Sequence, residues 1–129
     1  MLTRIFATAT ILGLAAFSLG GCCLCSIATS NFERYTCRSK QSEAKANLRA
    51  LYVAEESFRS EQGKYAPLDA VGFSPQGETL RYDYVLLEVD DTHFVAEARG
   101  KNEQAGDVWR IDNTSTLANV LSVCGGSQN

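Results

Sequence analysis

Three of the chain's five cysteines, Cys22, Cys23 and Cys25, crowd into the run LGGCCLCSIAT, and thiols at that spacing imply one of three chemistries. The first is metal binding, but a structural site needs four donors, and no second cysteine pair or histidine cluster supplies the remainder. The second is burial in a membrane-spanning helix, where cysteine behaves as a small apolar residue. The third is covalent modification of Cys22, since Leu19-Gly20-Gly21 places small residues where a peptidase must admit the backbone ahead of the thiol. Elsewhere catalytic chemistry is sparse. His93 is the single histidine and sits beside Asp90 and Asp91 in a polar turn, where a solvated imidazole is expected rather than a general base. No Ser-His-Asp arrangement and no glycine-rich phosphate loop accompanies it, and Asp90-Asp91 lacks the spacing of an EF-hand. These patterns give no catalytic residue, no cofactor site, no metal site and no small-molecule substrate.

The elements that would carry such residues are bounded by size and charge. A length of 129 residues with 45% hydrophobic content allows one small core. A net charge of -3 offers no electrostatic footprint for nucleic acid. The charge is nevertheless divided: residues 33–64 hold seven basic and five acidic side chains, and residues 65–129 hold four basic and ten acidic ones.

Residues 5–28 carry no formal charge. As a helix they would extend about 36 Å, enough to cross a bilayer core. The same stretch also divides into a short basic region at 1–4, an apolar region at 5–17 and a cleavage site at 19–22. Leu19-Gly20-Gly21-Cys22 resembles a bacterial lipobox, which makes Cys22 the candidate lipidation residue. Residues 1–29 are thus expected to be a signal peptide or membrane anchor, with 30–129 the globular domain in the periplasm or at the cell surface.

Past this segment, Cys37, Gln41, Ala44, Leu48, Leu51, Glu55 and Phe58 recur at intervals of three and four. That spacing predicts an amphipathic helix over about 33–62, ended by Gly63, with Lys40, Lys45, Glu56 and Arg59 toward the solvated side. Glu55 stands inside the apolar stripe, where it needs an edge, an arginine or a tyrosine hydroxyl as partner. A loop at 66–78 contains both prolines. Alternating runs then predict strands at about 80–89, 93–101 and 107–115, with 117–129 available as a further edge piece. Tyr82, Tyr84, Phe94 and Trp109 fall at strand spacing and read as core or cross-strand residues. The class is α+β: one long helix on a three- to four-stranded antiparallel sheet.

The run NFERYTCRSKQSEAKANLRALYVAEESFRSEQGKY, entered from an apolar segment and followed by RYDYVLLEV and DVWRID, resembles the type IV pilins and type II secretion pseudopilins. The resemblance implies a pilin-like roll, an address in the bacterial envelope, and pilin or pseudopilin subunits and the membrane as partners. It also implies a non-enzymatic accessory or structural role in a pilus or secretion assembly; the alternative is a free-standing lipoprotein binding module. The family's processing pattern is absent. Aligned on this segment, its cleavage Gly falls near Thr8, its Glu near Gly13, and its helix-kinking Pro at Ser30. An oxidising envelope compartment would let Cys37 and Cys124 pair, because Cys37 lies on the helix stripe facing the returning C-terminal segment.

Overall fold

The computed structural model describes residues 22–125, with side chains from Asn31 onward. The chain divides between Phe32 and Glu33, and the packing described below belongs to the unit that begins at Glu33. Helix α1 spans Cys22–Gln62 and therefore starts well before residue 33, where the amphipathic stripe begins. No glycine or proline stands between Gly21 and Gly63 to interrupt it, so the backbone stays helical where the stripe does not extend. Gly63 ends it at φ 78°, its N–H donating to the Arg59 carbonyl at 2.8 Å. Glycine takes that left-handed conformation without a Cβ penalty.

Four antiparallel strands follow in sequential order: β1 Tyr82–Val89, β2 Phe94–Gly100, β3 Val108–Asp112 and β4 Leu117–Leu121. The 117–129 segment thus supplies a fourth strand, and the third strand is shorter than its alternation predicts. One bulge interrupts β1 between Leu86 and Glu88; another lies at Val108/Trp109. Cross-strand neighbours Tyr84, Ala98, Trp109 and Asn119 form one inner row, and Leu86, Ala96, Ile111 and Leu117 form the next. Period-two alternation puts each row on a single face.

Ala44, Leu48 and Leu51 of α1 are fully buried, as are Phe94, Ala96, Ala98 and Ile111 of the sheet. The two alanines in the central strand leave room for the helical leucines, each of which gains roughly 1.5–3 kcal/mol on burial. Tyr65, just beyond the helix, packs edge-on against Phe94 with ring centroids 4.9 Å apart.

Polar side chains of α1 fasten the following loop to the helix. Asn47 donates to the Gln76 carbonyl at 3.0 Å and accepts from the Gln76 N–H at 2.7 Å. Glu43 accepts from the Arg81 N–H at 2.8 Å and pairs with its guanidinium at 3.1 Å. Gly100 allows the 3₁₀ turn Asn102–Gln104 to fold tightly against β2: a Cβ there would stand 1.9 Å from the Gln104 carbonyl oxygen.

Several side chains depart from the helical-wheel expectation. Lys45 is half-buried, its Nζ 4.5 Å from the Trp109 ring centroid. Lys40 pairs with Glu103, and Glu56 accepts from the Tyr65 hydroxyl at 2.6 Å. These residues flank the apolar stripe, where long side chains reach over the sheet and the loop. Glu55 is fully buried yet takes neither an arginine nor a tyrosine. Its Oε2 accepts from the Ala66 N–H at 3.2 Å and its Oε1 has no partner, because Glu56, one residue along, holds the tyrosine. His93 is only partly solvated, Nδ1 lying 2.6 Å from Asn113 Oδ1.

Candidate functional site: the polar seam at Asp107

Asp107 is fully buried immediately before β3, where it collects donors from five parts of the fold. Its Oδ2 accepts from the Tyr82 hydroxyl at 2.7 Å and from the Trp109 indole N–H at 2.9 Å. Its Oδ1 accepts from Gln41 Nε2 of α1 at 2.9 Å, Asn119 Nδ2 of β4 at 3.3 Å and the Val123 N–H at 3.4 Å. The Asp107 carbonyl accepts from the Gly100 N–H at 2.8 Å, and its own N–H donates to the Gln104 carbonyl at 2.9 Å. A buried carboxylate is tolerated only when its lone pairs are satisfied, and here protein donors satisfy them. The helix, both ends of the sheet and the C-terminal segment thus share one acceptor.

Next to this seam, Cys37 of α1 and Cys124 are joined as a disulfide, with Cα atoms 5.6 Å apart. The bond and the carboxylate close the same gap, one covalently and one by charge-assisted hydrogen bonds. Tyr82 ionisation is pushed up, first by burial and then by its bond to Asp107, so the phenol stays a donor. Partial burial pushes Tyr84 up to about 12, against the hydrogen bond from Asn47. On the outer sheet face, Glu97 lies between Arg99 at 3.0 Å and Arg110 at 2.5 Å. Burial alone would raise its pKa; hydrogen bonds from Arg110 and Arg99 outweigh that and hold the carboxyl below the usual range.

This arrangement supports no reaction: its carboxylate is sealed and its donors are consumed. Among the described residues no group of His, Cys, Asp and Glu is arranged to hold a metal ion. Cys22 stands at the first residue of α1, and residues 19–21 of the lipobox-like run lie outside the described residues. No helix among the described residues is long and apolar enough to cross a membrane. Tyr82, Phe94 and Trp109 are core residues, and Tyr84 is half-buried against Phe73 at 5.7 Å. Sequence reasoning did not single out Asp107, Asn119 or Asn47. The available signal was Gln41, an amide inside an apolar stripe, which must find a buried partner.

Chains with this helix-on-meander closure have relatives. A family model, type IV pilin PilA, matches residues 35–115, which contain most of α1 and the first three strands. The chain belongs to the type IV pilin PilA family. Within the family, it is 48% identical over 62 residues to the type IV major pilin protein PilA of Myxococcus xanthus (strain DK1622), a match covering 47% of this chain and 28% of that protein. The matched part is therefore less than a third of that pilin's length. The pilin fold is also seen in the crystal structure of the non-core minor pilin PilV of Neisseria meningitidis. That structure aligns with a TM-score of 0.52 at 16% identity, over 77% of this chain and 99% of PilV. Type IV pilins are envelope-associated structural proteins, which agrees with a seam built to hold shape rather than to turn over substrate.

Proposed function

We propose that this chain is a non-enzymatic, accessory structural component of a type IV pilus, anchored in the envelope at its N-terminus. Its pilin family membership and the Asp107 seam, which ties α1, the sheet and the C-terminal segment to one buried acceptor, support the structural role. The accessory role rests on residues 5–28, which contain no Asp or Glu. An amino terminus pushed into an apolar filament core needs a neighbouring carboxylate, since an unpaired buried ammonium costs several kcal/mol. This segment has none to offer.

Shearing surface filaments from producing cells and quantifying this chain against the main subunit tests the proposal. A minor but reproducible share is expected. Recovery as the principal component would overturn the accessory role, and complete absence from filaments would overturn the pilus role.

The lipobox-like Leu19-Gly20-Gly21-Cys22 favours a second reading, a lipoprotein whose domain binds an envelope partner. Two or three acyl chains on Cys22 would anchor the mature protein firmly without a spanning helix. Intact mass of the mature protein decides the anchor: a lipidated chain starting at Cys22 is expected, and an unmodified chain starting at Met1 would leave the apolar helix as anchor. Lipidation combined with uniform membrane distribution and no filament association would favour the binding module.

A further inference from the structure

Glu97 is buried on the face of the sheet that α1 does not cover. Alternation turns Val85, Val95, Glu97, Arg99, Val108 and Arg110 away from the helix. Side chains there are expected to meet solvent, yet Glu97 is only 6% exposed. Two guanidiniums cover it. Arg110, its partner across β2 and β3, donates to Oε1 through Nε at 3.1 Å and Nη2 at 2.5 Å. Arg99, two residues along β2, donates to Oε2 through Nε at 3.0 Å. A buried carboxylate is costly unless paired, and this one fixes two arginines side by side on adjacent strands.

The cluster is not balanced. Residues 65–129 contain four basic side chains. Arg81 is matched by Glu43 and Lys101 by Asp83, one carboxylate each. Arg99 and Arg110 share a single carboxylate, so one positive charge is left over. Arg99 keeps both terminal nitrogens, and Arg110 keeps Nη1, without a protein acceptor among the described residues. The two side chains are 53% and 44% exposed, which leaves these donors open to a visitor.

Guanidinium N–H groups receive a carboxylate well, and this pair already holds one. The half-buried Val85, Val95 and Val108 around the pair favour a carboxylate carried on an apolar body. Tyr82, Tyr84, Phe94 and Trp109 all belong to the core side of the sheet, which leaves no aromatic platform here for a sugar ring or a nucleotide base. One unbalanced charge is also too few to hold a chain of net charge -3 on an anionic lipid surface, where attachment takes a cluster of basic residues.

We propose that Arg99 and Arg110 dock an acidic peptide segment of another envelope protein, with one Asp or Glu carboxylate flanked by apolar side chains. The choice of a different protein rests on the accessory reading, because a minor component meets few copies of itself. The docking chemistry does not depend on it.

Leu121 is 57% exposed and stands opposite Val108. In producing cells it is replaced, in the full-length chain, by the photo-crosslinker p-benzoylphenylalanine. Irradiation is expected to give an adduct with a different protein, mapping to a peptide that contains Asp or Glu. Arg99→Gln with Arg110→Gln should lower the yield by about tenfold. Those two changes strand Glu97, so a second variant adds Glu97→Gln, which removes the buried charge, and should show the same loss. Replacing the mapped partner acid by its amide should also lower the yield by about tenfold. An adduct indifferent to the arginines or to that acid overturns the proposal, as do an adduct with a second copy and the absence of any protein adduct. A carboxylate-dependent adduct from a chain absent from sheared filaments supports the docking and overturns the pilus role. Adducts between copies of a chain that proves to be the principal filament component overturn both the docking and the accessory role.

Discussion

Tyr82 and Asp107 meet at 2.7 Å with neither side chain exposed, the hydroxyl donating to Oδ2, so that β1 and the entry to β3 share a proton donor inside the core. The bond matters because Gln41 and Trp109 converge on the same carboxylate. Removing the acceptor leaves the Trp109 indole N–H without its partner and Tyr82 and Gln41 with only longer contacts, to Gln104 Oε1 at 3.2 Å and Ser122 Oγ at 3.4 Å; removing one donor leaves the others in place.

Asp107→Ala should therefore destabilise the fold by about 3–5 kcal/mol, the usual cost of breaking a buried charged network from its central member. Tyr82→Phe should cost about 1–2 kcal/mol. Urea denaturation followed by Trp109 fluorescence measures both. Equal effects of the two substitutions would mean that Asp107 does not act as the shared acceptor.

The Cys37–Cys124 disulfide spans 87 residues of sequence. By the chain-entropy relation a loop of that size stabilises by about 4.6 kcal/mol, less any strain. Cys124→Ser is expected to lower the urea midpoint accordingly, with reductant moving the unsubstituted protein the same way and leaving the variant unchanged. Free thiol at both positions in protein isolated without reductant would count against the bond.

Glu55 and Glu97 should give the stability profile opposite slopes. Burial raises the Glu55 pKa above its unfolded value, so the folded state binds the extra proton. Stability from this group is full below the unfolded pKa, about 4.3, and falls as pH rises toward the folded one. Glu97 is held low, so its contribution is present above about pH 4.3 and is lost as pH falls through its folded pKa. Glu55→Gln is expected to stabilise the fold at pH 7 and to flatten the descent above about pH 4.3. Glu97→Gln should flatten the acid limb instead. Thermal melts from pH 3 to 8 on both variants provide the check.

Alkaline titration addresses the tyrosines. Tyr82, Tyr84 and Tyr65 are all raised, each chiefly by burial. Above the unfolded value near pH 10 the unfolded phenols ionise first, so stability falls as pH climbs toward the folded values. Absorbance at 295 nm should show these three ionising together with the loss of near-ultraviolet circular dichroism. Their ionisation in a still-folded protein at pH 10 would show that the core is open to water.

Local pattern was enough for the elements and much of the core. The stripe from Cys37 through Gln41, Ala44, Leu48, Leu51 and Glu55 to Phe58 is buried or half-buried throughout, because helical spacing alone decides which side chains share a face. Gly63 marked the helix end, and alternation marked three strands. Partnership is a different matter. Glu55 and Glu56 are adjacent in sequence, yet one is sealed with an orphan oxygen while the other bonds Tyr65, a choice made by where the loop returns. Lys45 leaves the solvated side because Trp109 arrives beneath it from 64 residues away. Asp107 reads in sequence only as the polar first residue of a strand, and its role exists only once Gln41, Tyr82, Trp109 and Asn119 have been brought around it. Periodicity acts over a few residues and is written in the chain. The satisfaction of a buried charge depends on donors from distant segments, and only tertiary packing decides which of them arrive.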